Sequence, residues 1–282
     1  MLALLLLVIF IYKIQNNKLN EAENNHFDTD IVIASINEDQ IEKINLFHYS
    51  LKLSEKKKRF AQHSEDSILL RLVEYINKKW NGTFVEFGTG NGDETNTRYL
   101  REHFGWKGLL MDGYSGHPDN PKINLHNEKI SHENILSLFE KYKVPIDLDI
   151  LSEDTDYADY WIVEKILSKY RPKIVVHEIN QQTPDRCVSV LRPTAITYWD
   201  GRSEYSGASV CAFQCLAKRF NYTMIYCESS GVNCFWLRDD ILFSLFQIET
   251  SVFKQMFTPA FLWSKPNFTT EHSEKVWQEI KC

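Results

Sequence analysis

The stretch Val85-Glu86-Phe87-Gly88-Thr89-Gly90-Asn91-Gly92-Asp93-Glu94-Thr95-Asn96 decides how the rest of the chain is read. An apolar strand, predicted over 83–88, runs straight into three glycines within five residues. The chain of 282 residues holds only 11 glycines, so their concentration at one point carries information. Glycine there lets the backbone turn sharply and come close to a ligand. A helix is predicted over 95–104, which places the loop between a strand end and a helix start. The carboxylate of Glu86 at the strand end would repel a pyrophosphate and attract an amino-bearing or cationic ligand.

Strands and helices alternate outward from this loop. Upstream, HSEDSILLRLVEYINKKW (63–80) has its apolar residues at helical spacing, with Ser64 or Asp66 as N-cap. Downstream, strands are predicted over 107–113, 146–152, 173–179, 222–229 and 233–239, and helices over 132–142, 160–169 and 209–220. Such alternation with short connections means βαβ units and a parallel sheet covered on both faces. In these sheets ligands lie at the carboxyl ends of the strands.

The residues that follow those strand ends are acidic. Asp112 lies 24 residues beyond Gly88, close to the spacing of about 20 at which a carboxylate serves a ribose diol; a simple turn role before Gly113 is the alternative. Glu153, Asp154, Asp156 and Asp159 then place four carboxylates in seven residues, and the next strand adds His177, Glu178 and Asn180. Carboxylates so close repel one another and need a cation, hydrogen-bond donors or raised pKa values. They suit a general base for a substrate hydroxyl, a cationic ligand or an oxygen-ligated divalent metal. Helix capping by Asp156 or Asp159 accounts for one of them. A metal-dependent hydrolase is disfavoured because the paired histidines usual in such sites are missing.

Composition bounds the class. The chain is 43% hydrophobic and 25% charged, ordinary for a globular protein. With 38 acidic against 32 basic residues the formal charge is −6, which argues against nucleic acid as a partner. Residues 1–12, MLALLLLVIFIY, would reach roughly 18 Å as a helix against the ~30 Å of a bilayer core. They read as a short signal-anchor or a signal peptide, with a membrane as partner through this segment. Three N-x-[ST] sequons, at Asn81, Asn221 and Asn267, and an even set of six cysteines fit a glycoprotein of the secretory pathway, its domain luminal or secreted. Cys211 and Cys215 are expected as buried free thiols. The expected divisions are an apolar segment over 1–12 and a polar stem with one helix (37–54) over 13–60. The domain proper follows over 61–243, with an extension packed on it over 244–282.

The motifs together resemble the FkbM-type methyltransferase family of class I S-adenosylmethionine-dependent enzymes. The resemblance runs through Gln62-His63-Ser64-Glu65-Asp66, the Glu86 to Asn96-Thr97 loop, Gly105-Trp106-Lys107-Gly108, Leu151 to Tyr160, Arg171-Pro172 and Val175 to Asn180. It ends on Tyr205-Ser206-Gly207-Ala208-Ser209 and Gly231-Val232-Asn233-Cys234-Phe235, covering roughly residues 61–243. It implies a Rossmann-like class I methyltransferase fold, with a mostly parallel seven-stranded sheet and helices on both faces. It further implies methyl transfer to a hydroxyl of a glycan or small molecule. Glu86, Gly88, Gly90 and Gly92 would hold the methionine part of S-adenosylmethionine and Asp112 its ribose. Asp154, Asp156 and Glu178 would act at the reacting centre, Asp154 also touching the cofactor, with Asn180 and Tyr205 on the acceptor. Tyr157 stands where the family usually has Gly, a bulk placed to fill the acceptor or cofactor pocket. The alternative function is therefore a catalytically inactive, membrane-tethered binding or trafficking protein.

Overall fold

A computed structural model describes residues 37–76, 81–114, 116–183, 186–250, 253 and 275–282. The strands are β1 (Thr83–Phe87), β2 (Lys107–Met111), β3 (Leu125–His126), β4 (Ile150–Glu153), β5 (Ile174–Glu178), β6 (Val188–Val190), β7 (Tyr222–Cys227), β8 (Asn233–Arg238) and β9 (Trp277–Glu279). The helices are α1 (Glu38–Ser54), α2 (Glu65–Ile76), α3 (Arg98–Phe104), α4 (Ile135–Lys141), α5 (Asp159–Leu167), α6 (Val210–Arg219) and α7 (Asp239–Phe246).

Seven strands form one sheet in the order β3-β2-β1-β4-β5-β8-β7, and β6 pairs with β9 apart from it. The β3 to β5 strands are parallel, while β8 runs antiparallel to both β5 and β7. The fold is thus mixed α/β and broadly Rossmann-like. Alternate strand side chains point to opposite faces. Val85, Phe87, Leu109, Met111, Leu151 and Val175 pack with Ile135, Phe139, Ile162, Ile166 and Phe213 of α4, α5 and α6. The intervening Phe84, Leu110, Ile150 and Ile174 are buried as well, so the sheet exposes neither face.

Three short strands, β3, β6 and β9, carry no apolar run of their own and were not expected, and neither was helix α7. Strand β4 begins at Ile150, four residues later than expected at 146. The predicted stem helix is α1, and its Ile44, Phe47 and Leu51 fall on one face and are fully buried. It packs on α2 and α7, so one compact unit spans Glu38–Cys282. The apolar segment 1–12, the rest of the stem to residue 36 and Asn267 lie outside the described residues. Among the described residues no helix is long and apolar enough to cross a membrane.

The cysteines are all paired: Cys187–Cys211, Cys215–Cys282 and Cys227–Cys234. This corrects the expectation of free thiols at Cys211 and Cys215. The two lie one turn apart on α6, where the chain before β6 and the chain after β9 both reach them.

Candidate functional site at the carboxyl edge of the sheet

The glycine loop leaves β1 with positive φ at Gly88 (66°), Gly90 (53°) and Gly92 (86°). Each serves differently. A Cβ on Gly88 would lie 1.8 Å from the carbonyl oxygen of Asp154, so the loops after β1 and β4 touch backbone to backbone. A Cβ on Gly92 would meet Ile123 Cδ1 at 2.5 Å, a packing contact. A Cβ on Gly90 would meet nothing within 4 Å; it would stand in open space at the cavity. Between them Thr89 is buried, and its hydroxyl has no hydrogen-bond partner among the described residues.

Glu86 is buried at the end of β1 with both oxygens engaged. The amide N–H of Asn96 donates to Oε1 at 2.7 Å, and the N–H and hydroxyl of Thr97 donate to Oε2. The carboxylate thereby satisfies donors at the start of α3, which is why that helix begins at Arg98 and not at Thr95. Burial pushes its pKa up to about 7 against the pull of those bonds. At the end of β2 the Asp112 carboxylate accepts the N–H of Gly90 at 2.8 Å and of Tyr114 at 3.0 Å. It ties the second strand to the glycine loop.

Asp154, Asp156 and Glu178 present carboxylate oxygens that all lie within 4.8 Å of one another. Burial, reinforced by the charge of its neighbours, drives Asp154 and Glu178 well above the ordinary range, and Asp156 rises to about 6 for the same reasons. A proton on either Asp154 or Glu178 would let the two carboxyls hydrogen-bond to each other. A second buried pair sits behind: burial and Asp159 raise Glu153 likewise. Asp159 is the first residue of α5, not its N-cap, and its Oδ1 accepts from Thr155 N–H at 2.8 Å. Asp156 adopts positive φ (62°), a conformation Asp tolerates better than most side chains.

Two adjoining cavities open here, of about 370 Å³ and 450 Å³, sharing Gln62, Gly88, Gly90 and Asp154. The first is walled by Glu65, Glu86, Thr89, Asn91, Asn96, His117 and Asn233. The second holds Asp112 and Asp156 beneath Tyr114, Tyr198 and Trp199. No Lys or Arg is among their described lining residues. Glu65 Oε1 accepts from Asn233 Nδ2 at 2.9 Å, closing one wall across 168 residues.

The structure therefore brings together Glu86, Gly88, Gly90, Asp112, Asp154 and Asp156, with Glu178 behind Asp154. Gly92 faces Ile123 instead. Asn180 and Tyr205, expected on the acceptor, line neither cavity. The Asn180 amide donates to the carbonyls of Glu204 (2.7 Å) and Ser206 (2.8 Å) and its Oδ1 accepts from Gln182 N–H (2.7 Å). The Tyr205 hydroxyl donates to Val276 O and accepts from Leu191 N–H, both at 2.8 Å. Tyr157, expected to fill a pocket, is buried with its ring 6.1 Å from that of Tyr205. Sequence reasoning had not assigned Thr89, His117, Tyr114 or the aromatic pair Tyr198-Trp199 to the site. For the last two there was no signal beyond their place in a polar loop.

No model of a protein family matches the sequence, and no curated protein matches it. Solved structures show a distant likeness. An O-methyltransferase family protein from Burkholderia thailandensis is similar at 11% identity and TM-score 0.38, over 71% of this chain and 68% of that one. The CurJ carbon methyltransferase is similar at 10% identity and TM-score 0.34, over 70% of this chain and 59% of that one. The small RNA methyltransferase HEN1 is similar at 14% identity and TM-score 0.31, over 77% of this chain and 27% of that one.

Proposed function

We propose that the protein is an S-adenosylmethionine-dependent methyltransferase of the class I fold, related to the FkbM type, acting on a hydroxyl of a glycan or small molecule. One observation carries the reading. Open space at Gly90 adjoins Asp112 and the Asp154–Asp156 pair at the carboxyl edge of the sheet. Counting only the strands of that sheet in chain order, their sequence is 3-2-1-4-5-7-6 with the seventh antiparallel. This arrangement supports the class I assignment.

The residues present fit the cofactor. The unpartnered Thr89 hydroxyl and the Gly88–Gly90 backbone would hold its methionine part, and Asp112 its ribose. S-adenosylmethionine, when bound, supplies a methyl group on a positively charged sulfur that is open to in-line displacement. The carboxylates favour that positive charge, and no Lys or Arg among the described lining residues contests it. Asp156, with a pKa near 6, is largely ionised at neutral pH and is placed to take the acceptor's hydroxyl proton on its carboxylate. Asp154 and Glu178 hold one shared proton beside it and fix its position. Glu86 and Gly92 shape the loop, and Asn180 and Tyr205 shape the 204–208 segment. The protein's remaining task is alignment and exclusion of water.

The inactive alternative depends on a bulky Tyr157 in the pocket, and that ring packs inward on Tyr205. Three disulfides and exposed Asn81 and Asn221 favour an oxidising, secretory compartment, with the 1–12 segment as anchor or signal. The test is calorimetric titration of the full chain with S-adenosylmethionine. Binding that is weakened in Asp112→Ala is the expected result. A folded protein that binds nothing at millimolar cofactor overturns the proposal.

A further inference from the structure

Four of the six cysteines meet at one place, and none of them lines either acidic cavity. Cys187 precedes β6, Cys211 and Cys215 lie on α6, and Cys282 follows β9. Their sulfurs all lie within 4.8 Å of one another, and Cys187 Sγ is 3.8 Å from Cys215 Sγ, an atom of the other bridge. Cys282 is exposed, whereas Cys215 is 8% exposed. A separate cavity of about 230 Å³ is lined by Cys211, Cys215 and Cys282 together with Lys218. That cavity gives a reagent access, and an ammonium group beside it favours the thiolate form. The third bridge, Cys227–Cys234, joins register partners of β7 and β8 and takes no part in the cluster.

We propose that this cluster is a thiol–disulfide exchange site for an external dithiol, and that exchange releases the segment 275–282. A thiolate of the dithiol attacks Cys282 Sγ, the Cys215–Cys282 bond breaks, and its electron pair leaves on Cys215. The second thiol of the reagent resolves the mixed disulfide, leaving Cys282 as a thiol and the reagent oxidised by two electrons. The Cys215 thiolate then attacks Cys187 Sγ. A Cys187–Cys215 bond forms, the Cys187–Cys211 bond breaks, and Cys211 leaves as a thiolate that takes up a proton. The second step moves the bridge without net oxidation or reduction. It keeps β6 tied to α6 and removes the covalent tie on β9. The freed segment carries Trp277, which packs edge-on with its ring 4.8 Å from that of Tyr205, and Val276, whose carbonyl accepts the Tyr205 hydroxyl.

Cys282→Ser in the full chain isolates the second step, since it leaves Cys215 without a partner. Free thiols are trapped by acid quench and N-ethylmaleimide and mapped by peptide mass. The expected result is label divided between Cys211 and Cys215, with a Cys187–Cys215 bridge present. Label on Cys215 alone, with Cys187–Cys211 intact, overturns the proposal. In the unaltered protein, N-ethylmaleimide trapping after limited dithiothreitol should label Cys282 first, with the second label divided between Cys211 and Cys215, and amide exchange across Trp277–Glu279 should rise at least tenfold. First labelling of Cys282 and Cys215 with none on Cys211, or unchanged exchange in the segment, counts against it equally. Neither readout depends on cofactor binding or methyl transfer.

Discussion

Gly88 and the carbonyl oxygen of Asp154 stand so close that a methyl group on Gly88 would sit 1.8 Å from that oxygen. The obstacle is backbone, so no rotamer relieves it. Gly88→Ala is expected to lose roughly 3–5 kcal/mol, at the severe end of single substitutions. Gly90→Ala meets no atom and should lose only the left-handed penalty of about 1–2 kcal/mol. Urea denaturation of the two variants measures the difference; equal losses would show that the two loops are not in contact.

Glu86 accepts three donors at the start of α3. An amide in its place keeps one acceptor oxygen and turns an NH₂ toward N–H donors. Glu86→Gln should therefore cost about 2–3 kcal/mol by leaving buried donors unpaired. Chemical denaturation gives the value, and a cost below about 0.5 kcal/mol, half of one ordinary hydrogen bond, would contradict the capping role.

The raised carboxylates set a pH dependence. Asp156 moves from an ordinary 3.8 to about 6 and Glu86 from 4.5 to about 7. Between each pair of values the folded protein holds a proton that the unfolded chain has lost. Stability from these groups is therefore greatest at the acidic end and falls as pH rises through roughly 4 to 7. Thermal melts should show a lower Tm at pH 8 than at pH 5, with a smaller drop in Asp156→Asn. A cationic ligand should bind more tightly across the same rise. A Tm that increases over this range refutes the assignment.

Asn180 and Asp112 both follow sheet strands, yet they should fail differently. Asn180→Ala removes two bonds that staple Glu204 and Ser206 and one that accepts Gln182 N–H, and should cost about 2–4 kcal/mol of stability. Its effect on cofactor affinity should stay within about threefold, less than 1 kcal/mol. Asp112→Ala should weaken cofactor binding about 10- to 100-fold, the equivalent of 1.4–2.8 kcal/mol. Calorimetry together with denaturation separates the two patterns; a stable Asn180→Ala protein that no longer binds would reverse them.

The strands from β1 to β5 that form the parallel part were legible wherever an apolar run supplied them; β3, with two residues, was not. Strands β6 and β9 exist because each meets the other, and pairing at such distance leaves no periodic trace in either. Residue type also outran residue direction. The acidic and glycine positions were readable because several sit at strand ends, where any side chain is near the crevice. Whether Asn180 turns its amide to a ligand or to Glu204 O depends on a loop formed 24 residues later. The Glu65–Asn233 wall could be read only as two separate motifs, since nothing local couples them. The acid-rich loop reads as a capping problem and an active-site problem at once; folding separates the two, placing Asp159 inside α5 and Asp154 and Asp156 at the cavity.

Strand β8 lies between β5 and β7 although it is made after both. During synthesis β5 consequently waits with one bare edge until Asn233–Arg238 has emerged. A hydrophobic, unpaired edge is a template for the wrong partner. The same arrival brings Asn233 to Glu65 and completes the cavity wall. A nascent chain halted before that strand would present its carboxylates on an open ledge, and the pocket would come into being only in the closing stage of folding.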